Sequence, residues 1–419
     1  MAERKRVYLC LAHMSEAGLE QKYIKEAFDT NWVVPLGPNV NGFENDLEEF
    51  CGVNKRIVAL SSGTAAVHLA LLACGVGPGD YVLVQSFTFC ASSHPITYLG
   101  ATPIFIDSEK DTWNMDPDLL EEAILDRIAK TGRVPKAIVP VALYGMPYKI
   151  DRIIAIADKY GIPVIEDAAE GFGSRFNGQV LGTFGKYGVL SFNGNKMITT
   201  SGGGALITAN EEEWREIMMY ATQYRESYPY YQHEKIGYNY RMSNICAGIG
   251  RGQMTVADEH IAHHKHVQRM YEELLADVPG ITVHAQPTTG EYDSNYWLCT
   301  ITIDPELKIE GQENAYKTIV KGAVGGAAGV IHVASSAVTD CQPNDNVEAL
   351  RVYLDAAGIE ARPVWKPMHK QPVYKDAPAY VNGVSEAIFK VGMCLPAGPY
   401  VMDEDVHYIV DKIKAAIIK

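Results

Sequence analysis

Residues 56–76 read "RIVALSSGTAAVHLALLACGV". An aliphatic run stops at Ser61 and Ser62, Gly63 turns the chain, and a helical pattern begins at Thr64. The run is hydrophobic at almost every position, as a strand covered on both faces must be. The same succession recurs downstream. "DYVLV" leads to "ASSHPITYLG", "TPIFID" to a helix around "DLLEEAILDRI", and "KAIVPVAL" to "IDRIIAIADKYG", with "PVIED" next. "GVLSF" and "GALIT" then add two strands close together. Strand–helix alternation over 55–208 predicts an α/β fold, a mostly parallel central sheet with helices on both sides.

Beyond this region the pattern changes. The stretch 246–280 reads as one long connecting helix. "ITVHAQ", "YWLCTITID", the helix "NVEALRVYLDAAG" and the closing helix "DEDVHYIVDKIKAAIIK" predict a smaller α+β domain. The expected organisation is a large domain over 1–245 with an N-terminal arm, the connecting helix, and a small C-terminal domain over 281–419. The Gly- and Ala-rich segment 322–338 receives no assignment. The start, "MAERKRVYLCLAHMSE", has too short an apolar run for a secretion signal and reads as a first strand.

The 419 residues carry 37 Lys+Arg against 51 Asp+Glu, a net charge of -14. That balance disfavours nucleic acid or an anionic membrane surface as a partner. No apolar run approaches the roughly 18 residues of a membrane span. The eight cysteines form no C-x-x-C pair. Scattered through apolar segments such as "ALLACGV", they read as buried thiols of a cytoplasmic protein.

Three stretches at the carboxyl ends of expected strands carry chemistry. In "SSGTAAVHLAL" (61–71) a helix N-terminus offers free N–H groups to an anion, and Gly63 lets backbone approach it closely. An ordinary helix cap would look the same. In "VIEDAAEGFGS" (164–174) Glu166 and Asp167 end a buried strand, where open α/β sheets bind ligands. A buried carboxylate needs a partner, and a protonated ring nitrogen would serve; a helix-capping role is the alternative. In "LSFNGNKMITTSGGG" (190–204) Ser191 ends a strand and a lone Lys196 stands among small residues. A lysine amine in a dry pocket can form a Schiff base. A phosphate cradle, an acid for a pyridinium and a Schiff-base lysine together are the binding kit for pyridoxal phosphate.

With these stretches, and with "GLEQKYIKEAFDTNWVVPLGPNVNGFENDLEEFCG", "RPVWKPMHKQPVY" and "CLPAGPYVMDEDVHYIVDKI", the chain resembles the sugar aminotransferases of the DegT/DnrJ/EryC1/StrS family. These are pyridoxal phosphate enzymes of fold type I. The resemblance makes Lys196 the Schiff-base lysine and Asp167 the partner of the ring nitrogen. It places Gly63, Thr64, Ala65 and Ser191 at the phosphate, Phe89 of "SFTF" on the ring face, and Glu170 beside the cofactor. It makes Asn239 of "GYNYRMSN" a contact to the phosphate of a neighbouring subunit, hence a homodimer with shared active sites. Glu170 departs from the His or Gln frequent in relatives, and "TTSGGG" replaces the commoner "TTGEGG". Relatives with His in place of the lysine are dehydratases, so Lys196 favours transamination.

What the resemblance implies is transfer of an amino group, from L-glutamate, to a nucleotide-linked keto sugar. The stretches "NWVVPLGPNVNGFENDLEEF" and "RPVWKPMHKQPVY" resemble the subgroup acting at C4 of UDP-linked 4-keto-6-deoxy-N-acetylhexosamines, with Arg362, Lys366 and His369 as candidates for the substrate. The alternatives are a 3-keto sugar or keto-inositol aminotransferase and, in another class, a non-catalytic regulator that binds pyridoxal phosphate. No metal site is expected: His260 and His264 in "HIAHHKH" share a helix face that reads as solvated. The aromatic stretch "ESYPYYQHEKIGYNY" (226–240) is either packing or a substrate and dimer contact.

Overall fold

The computed structural model describes residues 5–52, 54–316 and 341–418, so 322–338 lies outside the described residues. The central strands are β1 (Arg56–Leu60), β2 (Tyr81–Gln85), β3 (Thr102–Ile106), β4 (Ala137–Val139), β5 (Ile165–Asp167), β6 (Tyr187–Ser191), β7 (Gly204–Thr208) and β8 (Ala379–Tyr380). They form two four-stranded sheets, β1-β7-β6-β5 and β8-β3-β2-β4. Pro140 follows β4 and has no N–H to donate, so no regular ladder continues there. The sheets join instead through parallel bridges Ile138–Val164 and Val141–Asp167, with the Asp167 N–H on Pro140 O at 2.9 Å. In the combined order β7 alone runs antiparallel to its neighbours.

Alternate side chains of each strand enter two cores, as strands buried on both faces require. Val58 and Leu60 pack with Val82, Val84 and the helix Gly63–Ala73 on one side. Ile57 and Ala59 pack with Leu83, Ile138 and the helix Pro38–Cys51 on the other. A third core gathers Tyr271, Ile301, Leu350, Leu395, Ile409 and Ile413. It lies around an antiparallel sheet of Ile281–Val283, Cys299–Ile303, Gly392–Leu395 and Arg362–Pro363.

The expected boundaries are crossed at both ends. Val7 belongs to the third core, and β8 returns from the C-terminal region to extend the large sheet. The expected first strand is only a bridge between Val7 and Ile359. The single long helix is two, Asn244–Met254 and Ala257–Leu275. Thr255 Oγ1 bonds back to Gly252 O at 2.6 Å and Val256 leaves helical geometry at φ -119°, ψ 7°. The histidine face is not solvated: His260 is 4% exposed and His264 0%. Their Nδ1 atoms meet Met197 O at 3.3 Å and Tyr296 O at 3.1 Å, and burial pushes the His264 imidazole down to about 3, hence neutral. No disulfide joins the described cysteines; Cys10, Cys51, Cys299, Cys341 and Cys394 are buried, whereas Cys74, Cys90 and Cys246 are only partly so.

The sheet register decides what meets at its carboxyl edge. Gly204 lies opposite Leu60 on one side and Ser191 on the other, and Asp167 pairs with Val189. A Cβ on Gly204 would fall 2.4 Å from Gly63 N, so only glycine lets the Ser62–Gly63 turn cross this point.

One buried ion pair fixes the neighbouring loop. Glu44 Oε1 accepts the Ala59 N–H at 2.7 Å and pairs with Arg241, whose Nη1 also reaches Ala59 O at 3.1 Å. Both side chains are almost fully buried. Glu44→Ala strands the guanidinium, so unfolding by denaturant should show a loss of about 3–5 kcal/mol. A loss below about 1 kcal/mol, the worth of a surface pair, contradicts the assignment.

Candidate active site

At the edge defined by Gly204, the helix Gly63–Ala73 opens with Ser62 as its cap, the Ser62 Oγ accepting the Ala65 N–H at 3.0 Å. The other amides of the first turn have no intrahelical partner. Thr64 and Ser191 are partly exposed beside them, and a Cβ on Gly63 would sit 3.1 Å from Ser191 Cβ. Amides, two hydroxyls and a helix dipole form an anion cradle.

The adjacent carboxylates have separate duties. Glu166 accepts the N–H groups of Gly182, Phe184 and Gly185 at 3.1, 2.6 and 2.5 Å and anchors the turn before β6. Asp167 Oδ2 accepts the Ser92 hydroxyl at 2.6 Å, and Ser92 Oγ lies 2.7 Å from Thr88 Oγ1. Asp167 Oδ1 accepts the Ala169 N–H at 3.2 Å. Burial raises the Asp167 carboxyl above its ordinary value, opposed by these hydrogen bonds and by the charge of Lys196. Among the described residues no cation is hydrogen-bonded to it.

Lys196 follows β6 in a loop, its side chain 13% exposed. Nζ stands 3.2 Å from Glu170 Oε1 and 4.1 Å from the centroid of the Trp297 ring. Glu170 Oε2 accepts the Tyr144 N–H at 2.7 Å. Burial pushes the Glu170 carboxyl up to about 7 against the pull of Lys196. Asn295 Nδ2 donates to Glu170 O and Phe172 O, and Trp297 Nε1 to Asn195 O at 2.7 Å. Phe89 is 54% exposed, its ring 5.5 Å from that of Trp365. A buried acid without a cation, an exposed aromatic face, an anion cradle and a sheltered amine fit a phosphorylated pyridine aldehyde.

Of the residues singled out from the sequence, Gly63, Thr64, Ala65, Ser191, Asp167, Glu170 and Lys196 lie on the three strand ends that share this edge. Asn239 is exposed, bridged to Thr222 and not bonded to the Asp167–Lys196 group. Arg362 is exposed and paired with Glu360 at 3.0 and 2.6 Å. His369 Nδ1 lies 2.6 Å from Ser86 Oγ, and Lys366 is partly buried next to Trp365. The side chains of Ser92, Asn295 and Trp297 and the backbone N–H of Tyr144 support the site and were not singled out; each acts on a residue 26 to 125 positions away. No local spacing marks them, although the paired serines of "CASSHP" at a strand end were a visible cue.

A model of the DegT/DnrJ/EryC1/StrS aminotransferase family matches residues 15–323 and 312–414. The chain is 42% identical over 411 residues to the Bacillus subtilis protein named "Putative pyridoxal phosphate-dependent aminotransferase EpsN", covering 97% of this chain and 95% of that one. It is 33% identical over 406 residues to the GDP-perosamine synthase of Escherichia coli O157:H7, covering 97% and 98%. Its structure superposes with TM-score 0.80 on a DegT DnrJ EryC1 StrS aminotransferase from Brucella abortus at 28% identity, covering 95% of each chain. With Spr1654 from Streptococcus pneumoniae in its PLP form the TM-score is 0.81 at 25% identity over 98% of each chain. A lysine, two carboxylates and an anion cradle on one sheet edge thus sit in a chain that belongs to the DegT/DnrJ/EryC1/StrS aminotransferase family, and its activity is that of a pyridoxal phosphate-dependent sugar aminotransferase.

Proposed function

We propose that this enzyme moves an amino group from L-glutamate to C4 of a UDP-linked 4-keto-6-deoxy-N-acetylhexosamine, working in the cytoplasm as a homodimer with shared sites and supplying amino sugar for a polysaccharide. The observation that carries the transaminase chemistry is the sheltered Lys196 amine, 3.2 Å from Glu170 in the site that also holds Asp167. When bound, pyridoxal phosphate supplies a ring that accepts the electrons released at the donor's α-carbon. Lys196 Nζ would hold the cofactor's aldehyde group. The same amine would serve as the base that takes the proton from the donor's α-carbon and as the acid that gives it back. Asp167 would keep the ring nitrogen protonated, with Ser92 holding Asp167 in place. The Gly63 and Thr64 amides and the Thr64 and Ser191 hydroxyls would take the phosphate, Phe89 would cover the ring, and Glu170 would orient Nζ.

Support for the nucleotide sugar comes from the resemblance of 31–50 and 362–374 to the UDP subgroup. Arg362, Lys366 and His369 lie within four residues of Trp365 in the chain, and the Trp365 ring is 5.5 Å from that of Phe89. The second reading is a GDP-linked sugar, favoured by the relatives named GDP-perosamine synthase. Support for the dimer comes from exposed apolar side chains, Tyr228, Tyr230, Tyr231 and Ile236 on the loop of Asn239 and Trp32, Val33, Val34 and Leu36 before the helix Pro38–Cys51. Asn244, the first residue of the helix Asn244–Met254, holds the second stretch through Val34 O and Trp32 O, both at 2.9 Å.

Purified enzyme given L-glutamate should convert the UDP-linked 4-keto sugar to the 4-amino sugar with release of 2-oxoglutarate. Its kcat/KM should exceed that for the GDP-linked or 3-keto counterparts by about tenfold or more, a difference of about 1.4 kcal/mol. Equal or reversed preference in kinetics followed by mass spectrometry contradicts the assignment.

Shared sites predict complementation. Asn239→Asp sets a carboxylate against the partner's cofactor phosphate, and Lys196→Ala removes the amine; each alone should be inactive. Refolded together, mixed dimers contain one site with both defects and one intact site, so about a quarter of wild-type activity should return. No recovery, with mixed dimers verified by native mass spectrometry, contradicts a shared site.

A further inference from the structure

The turn Leu143–Gly145 is buried and lies in none of the stretches that suggested chemistry, yet it touches both halves of the site. Tyr144 takes φ 54°, ψ 18°, left-handed geometry that a bulky side chain adopts only when its surroundings impose it. The imposing contacts are on both ends of the residue. Its amide N–H donates to Glu170 Oε2 at 2.7 Å, and Glu170 Oε1 is 3.2 Å from Lys196 Nζ. Its phenol oxygen accepts the backbone N–H of Trp365 at 2.9 Å. The ring lies 5.1 Å from that of Trp365 and 6.5 Å from that of Trp297, and the side chain is 4% exposed. Gly145 locks the turn, since a Cβ there would stand 1.9 Å from Asn295 Oδ1.

A core tyrosine needs one partner for its hydroxyl and no particular backbone twist. Here the twist points the amide at Glu170 while the ring carries the phenol across to the backbone of the segment Arg362–His369. We propose that Tyr144 is a positioning residue that ties this segment to the Lys196–Glu170 pair. Its phenol sets the affinity for the nucleotide-linked acceptor, and its amide, a backbone group, keeps Glu170 on Lys196. The inference rests on the reading above that Arg362–His369 meets the acceptor.

Tyr144→Phe keeps the ring and the amide and removes only the acceptor of the Trp365 N–H. In the pyridoxal phosphate-loaded enzyme, the single-turnover reaction with L-glutamate, followed by absorbance, should stay within about twofold of wild type. For the UDP-linked keto sugar, KM should rise about tenfold with a smaller change in kcat, the effect of one lost buried hydrogen bond. Calorimetric binding of UDP-N-acetylglucosamine to cofactor-free protein should weaken by a similar factor. Hydrogen exchange resolved to residues should show the Trp365 amide about tenfold less protected, and the Tyr144 amide unchanged. Equal losses with both substrates, no change in acceptor KM, or an unchanged Trp365 amide each overturns the proposal. If wild-type enzyme accepts none of the nucleotide sugars, the acceptor reading fails instead, and the exchange of Trp365 still decides whether the phenol holds the segment.

Discussion

One sheltered lysine amine shares a site with two buried carboxylates, Asp167 and Glu170, and much of the structure serves to hold these three groups in place. Removing a charge from water is costly unless a partner and hydrogen bonds replace the solvent. Glu170 has its partner in Lys196 and a backbone N–H from Tyr144. Asp167 has a serine hydroxyl and one amide but no hydrogen-bonded cation among the described residues. A protonated pyridine nitrogen would give this deeply buried carboxylate the opposite charge that burial calls for. The anion cradle at Ser62–Ala65 fits the other end of the same molecule.

Two features of the fold bring these groups together. The sheet register sets Leu60, Gly204 and Ser191 side by side, and glycine at 204 lets the cradle turn cross the strand ends. Pro140 interrupts the ladder between β4 and β5, and at this junction the Asp167 backbone bonds to Pro140 and Ala142 instead. Residues from beyond the large sheet's strands then cover the edge: Asn295 and Trp297 close over Glu170 and Lys196, and Trp365 meets Tyr144 and Phe89, the two tryptophans packing with the core of Ile57 and Leu83.

The central strands were legible because residues buried on both faces write unbroken aliphatic runs, as in "RIVAL" and "TPIFI". Asp167 and Lys196 were legible because each stands in a short stretch at a strand end. The supporting residues were not, since Ser92 reaches Asp167 across 75 positions and Trp297 reaches Asn195 across 102. The histidines of the helix Ala257–Leu275 show a different failure. His260 and His264 lie in one buried stripe with Ile261, Val267 and Tyr271, so the 3.6-residue period held the answer, but the polarity of histidine suggested solvent. The division into two helices at Thr255 depends on a side-chain bond to Gly252 that no periodicity reports.

Lys196 is the amine proposed to hold the cofactor. The most direct measurement is borohydride reduction of the pyridoxal phosphate-loaded protein followed by peptide mass spectrometry. A single reduced adduct on the peptide containing Lys196, with none on the other lysines, is the predicted result. An adduct on another lysine, or none in protein shown to carry the cofactor, would contradict it.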